Sequence, residues 1–68
     1  MNKEDIVEAR NHGYELMMVG QMMMDYASSD YEKNIADCTY YAGWSVYNMM
    51  ITLEKMLKRN NSKLDGSK

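Results

Sequence analysis

The sequence predicts an all-α fold, an antiparallel two-helix hairpin that assembles into a homodimeric four-helix bundle. Three observations carry that expectation. Apolar residues recur at alternating spacings of three and four through two long segments, the pattern of amphipathic helices. No proline interrupts either segment, and a short serine-containing break separates them. The second segment is apolar over most of its circumference, more than a single helical neighbour covers.

The first helix is predicted over about residues 3–27. Asn2 stands three residues before Asp5 and can cap the opening turn, where Glu4, Asp5 and Glu8 meet the positive end of the helix dipole. Its inward seam reads Ile6, Ala9, Gly13, Leu16, Gly20, Met23 and Ala27. Ser28 and Ser29 form the turn, and Ser29 with Glu32 has the S-x-x-E spacing of a capping box that opens a second helix over about 30–59. A connection this short makes the two helices antiparallel neighbours.

The second seam reads Ala36, Thr39, Gly43, Val46, Met50, Leu53 and Leu57. Near its end Glu54 and Lys58 are spaced as an i,i+4 ion pair, and Lys55, Lys58 and Arg59 complement the negative end of the dipole. Residues 60–68 lack apolar periodicity and are expected to form a disordered tail beyond the hairpin of residues 1–59. Glycine within a helix costs about 1 kcal/mol relative to alanine. Gly13, Gly20 and Gly43 on the seams therefore predict close approach of the two backbones.

The seams do not use up the apolar surface. On the second helix Ile35, Ala42, Met49 and Met56 flank the seam on one side, and Tyr40, Trp44, Tyr47 and Ile51 on the other. Both flanks are expected oligomer interface, because a helix apolar on several sides is normally buried on several sides. On the first helix the outward line Glu4, Glu8, Asn11 and Glu15 continues as Met18 and Met22. Two neighbouring methionines at solvent positions make a candidate patch for a second protein, since flexible thioethers suit adaptable docking.

Chemistry is sparse by comparison. His12 is the one histidine and Glu8 lies a turn before it, but two ligands do not make a metal site. Carboxylate-bridged di-metal bundles need further inward acids, and none lies on a seam. Cys38, the single cysteine, has no thiol partner and no nearby base, so a packing role is expected for it. No E-x-x-E, E-E or E-x-x-D group sits on an inward stripe, and no glycine-rich phosphate loop is present. The expectation is a non-enzymatic chain without metal or cofactor.

The formal net charge of -2 supplies no basic field for nucleic acid, and the basic residues gather at one helix end. The longest mostly apolar stretch, Tyr14 to Met24, is broken by Glu15, Gly20 and Gln21 and falls short of the ~20 residues a membrane span requires. From the polar, acidic start and the lone thiol a cytoplasmic location is expected. The function expected is that of a small interaction or assembly module acting as a helical homo-oligomer, with a second protein as partner. The alternative is a small inhibitor, of the kind mobile elements encode, that occludes a larger enzyme. A minimal helical metal protein or enzyme ranks behind both.

Overall fold

The side chain of Asn2 accepts the backbone N–H of Asp5 at 2.9 Å, which satisfies one of the open donors at the start of α1, Lys3–Tyr26. The computed structural model describes residues 2–66, with side chains through residue 60. α1 ends where Ala27 turns to extended backbone, its N–H bonding the Met24 carbonyl at 3.3 Å. The second helix, α2, spans Asp30–Gly66. The Ser29 hydroxyl accepts the Glu32 N–H at 3.1 Å, one half of the capping box. The other half is shifted by one residue. The Glu32 carboxylate accepts the N–H and the hydroxyl of Ser28, both at 2.9 Å, so the acid ties down the turn as well as the helix start.

α2 continues past Arg59, where the charge pattern predicts its end. Neither proline nor glycine occurs between Arg59 and Gly66, so no residue there breaks the backbone ladder. Of the residues expected to form a tail, Ser67 and Lys68 lie outside the described residues.

The two helices pack antiparallel, with no further element among the described residues, as a rod of 60 × 16 × 15 Å. Its radius of gyration is 16.5 Å, against about 11 Å for a compact chain of this length. Contact is backbone on backbone. A Cβ placed on Gly20 would stand 2.5 Å from the Tyr40 nitrogen and 2.7 Å from its Cα. Ile6 and Ala36, 1% and 0% exposed, are the buried apolar side chains among the described residues. Gly13, Gly20 and Gly43 are buried with them.

Leu16, on the predicted seam, is nevertheless 40% exposed. The approach at Gly43 explains why, because a Cβ there would already stand 2.7 Å from the Leu16 Cβ. The backbones leave no room between them for a leucine, so its side chain lies along the edge of the contact. Ala9, Met23, Thr39, Val46, Met50 and Leu53 are half-buried.

Candidate functional site

What the hairpin offers chemically is surface. Each helix turns by about 100° per residue, and in an antiparallel pair the flanks of like rotation from the glycine line fall on the same side. One side is fixed by contacts. The Arg10 guanidinium donates to both Glu54 carboxylate oxygens, at 3.1 and 3.3 Å, across the two helices. Beside it the rings of Tyr14 and Tyr47 lie 6.2 Å apart. Further toward the turn Gln21, Asp25, Asp37 and Tyr40 line a shallow groove. Trp44 stands on this side, 49% exposed, with Ile51 half-buried.

The expected Glu54–Lys58 pair is not the one that forms, because Glu54 turns across to Arg10. Side-chain exposures of 30% for Arg10 and 19% for Glu54 put this ion pair partly out of water, where it is screened less than a surface pair. Nothing in the local spacing marks Arg10 as a partner. The signal becomes readable only once Gly13 is known to lie against Gly43.

The opposite side has another character. Leu16, Val19 and Met23 of α1 lie beside Ile35, Ala42, Val46, Met49, Leu53 and Met56 of α2. Ile35 is 38% exposed, Met49 56% and Met56 45%. Between Ile35 and Leu57 this flank of α2 carries no charged residue. The Thr39 hydroxyl donates to the Ile35 carbonyl at 2.9 Å, so even its polar group is satisfied within the helix.

Met18 and Met22 lie on the back of α1, 51% and 58% exposed. Neither joins the contact between the helices. Tyr26 and Tyr31, 86% and 74% exposed, flank the turn. The aromatic flank named from sequence is split in burial: Tyr40 and Tyr47 are half-buried, whereas Trp44 is open.

His12 stands 3.9 Å from Glu15, not from Glu8, and both side chains are 68% exposed. Among the described residues no three His, Cys, Asp or Glu side chains come close enough together to hold a metal ion. Cys38 is exposed, which replaces the packing role expected of it with a thiol open to water. Glu32 is held below the usual glutamate value chiefly by the Ser28 N–H and then by the Ser28 hydroxyl. No helix among the described residues is long and apolar enough to cross a membrane. The chain matches no protein-family model, no curated protein and no solved structure.

Proposed function

We propose that the chain is a non-enzymatic assembly module that works as a helical homo-oligomer, in its simplest form a dimer of hairpins packed as a four-helix bundle. One observation carries this reading. The hairpin exposes 5452 Å², whereas a compact monomer of 8.0 kDa exposes about 4,500 Å². Methionine, leucine, isoleucine, valine and aromatic side chains stand at 38% exposure or more on both sides of the hairpin and on its back. Apolar side chains left open in clusters mark association sites. Two stacked hairpins bury such surface in the geometry that short-looped helix pairs commonly adopt.

A second protein is the further partner in this reading, with Met18 and Met22 as its contact. Both stand away from the helix–helix contact at 51% and 58% exposure. Occlusion of a larger enzyme by such a module is the second form the same surface supports.

The test is the mass in solution. Light scattering at micromolar concentration is expected to give a multiple of 8.0 kDa, with a melting temperature that rises with protein concentration. A cooperative monomer whose melting is independent of concentration refutes the proposal.

A further inference from the structure

We propose that a second copy packs antiparallel on the side carrying Trp44, about a twofold axis midway between Trp44 and Ile51. Asp37 of each chain then meets Lys58 of the other. This rests on the homo-oligomer reading and names the face that closes and the ion pairs that set its register.

Asp37, Trp44, Ile51 and Lys58 recur every seven residues along α2, close to two helical turns, so they form one line on that side. The line runs acid, aromatic, aliphatic, base. An antiparallel twofold lays such a line end for end on its own copy. Asp37 faces Lys58, Trp44 faces Ile51, and no like charges meet along it. Within one chain Asp37 and Lys58 lie about 32 Å apart along the helix axis. Neither enters an ion pair among the described residues.

The surroundings of the line share its polarity. Toward the turn this side carries Asp25, Asp30 and Asp37 against Lys33, and toward the other end Lys3 and Lys58 against Glu4. Arg10 and Glu54 neutralise each other between those ends. Gln21, Asp25, Asp37 and Tyr40 line a groove that accepts the Lys58 ammonium of the second copy between two carboxylates, with its methylene stem along the tyrosine ring. The centre is apolar and open, Tyr14 being 52% and Trp44 49% exposed. The opposite side has no such match. Asp5 and Glu8 stand at its far end, with His12 drawn toward Glu15, and Glu32 stands near the turn. The same twofold there sets acid against acid.

Charge reversal separates a contact between copies from an effect within one chain. Asp37→Lys and Lys58→Asp should each weaken association about tenfold or more, because like charges then face each other twice in the dimer. Both reversals in one chain should restore the wild-type mass by light scattering, and so should mixing the two single variants. Trp44, the single tryptophan, should become blue-shifted and protected from acrylamide as the wild type assembles. Single variants that assemble like the wild type, a double variant no better than the singles, or an assembled wild type with freely quenched Trp44 would each overturn this inference and leave the homo-oligomer reading standing. A wild type of single-chain mass at every concentration removes that reading itself. Should a single variant fail to fold by circular dichroism, the double variant and the wild-type quenching measurement still decide.

Discussion

Gly13 and Gly43 meet backbone to backbone: a Cβ on Gly43 would stand 2.5 Å from the Gly13 carbonyl oxygen, and one on Gly13 would stand 2.9 Å from the Gly43 oxygen. The relation is reciprocal, and the atoms in the way are main-chain atoms that no rotamer change can move. The conformational cost of two helix glycines is thereby offset by contact that larger residues forbid.

Gly43→Ala is therefore expected to destabilise the fold by about 1 to 3 kcal/mol, although alanine is the better helix former by about 1 kcal/mol. Gly20→Ala should act in the same direction, since its Cβ would meet the Tyr40 backbone at 2.5 Å. Sequence alone leaves the sign of that change open, because propensity gain and clash oppose each other. Urea titration at fixed protein concentration measures both, and a gain in midpoint for either would show that the backbones are not in contact there.

Arg10 and Glu54 form the ion pair between the helices, with side chains less than a third exposed. A double-mutant cycle with Arg10→Met and Glu54→Gln should give a coupling of about 1 kcal/mol. Half a molar salt should reduce it without abolishing it, as for a pair partly withdrawn from solvent. Lys58→Met should show no coupling to Glu54→Gln. If instead the Lys58 cycle carries the energy, Glu54 pairs along its own helix.

The Glu32 carboxylate, holding the Ser28 N–H and hydroxyl, titrates below the ordinary value of 4.5. A folded-state pKa below the unfolded one means that the stabilisation is complete above the unfolded value and is lost as pH falls through the folded one. Between about pH 5 and more acid conditions the wild type should thus lose more stability than Glu32→Gln. Thermal melts of both proteins across that range test this, and parallel curves would remove Glu32 from the turn.

Met18 and Met22, both more than half exposed, lie on the back of α1, away from the contact between the helices. Met18→Glu with Met22→Lys should leave helicity and assembled mass unchanged, since surface changes remote from packed features fall within about ±0.5 kcal/mol. Circular dichroism and light scattering read both quantities. Dissociation or unfolding would instead place the two methionines inside the assembly.

The hairpin was legible in the sequence because its signals are short-ranged. Alternating spacings of three and four define a face for each helix, Asn2 and Ser29 each accept a backbone N–H from the residue three positions on, and the glycines stand on those faces before any contact is known. Spacing fixes the angle of a residue about its own helix axis. It does not fix the axial offset between two helices or the distance between them. Those were decided by where the backbones touch, Gly13 on Gly43 and Gly20 on Tyr40. From that register follow the turning of Glu54 to Arg10, the displacement of Leu16 to the edge, and the division of the apolar residues of α2 into a charged, partly satisfied side and one whose α2 flank is uncharged from Ile35 to Leu57.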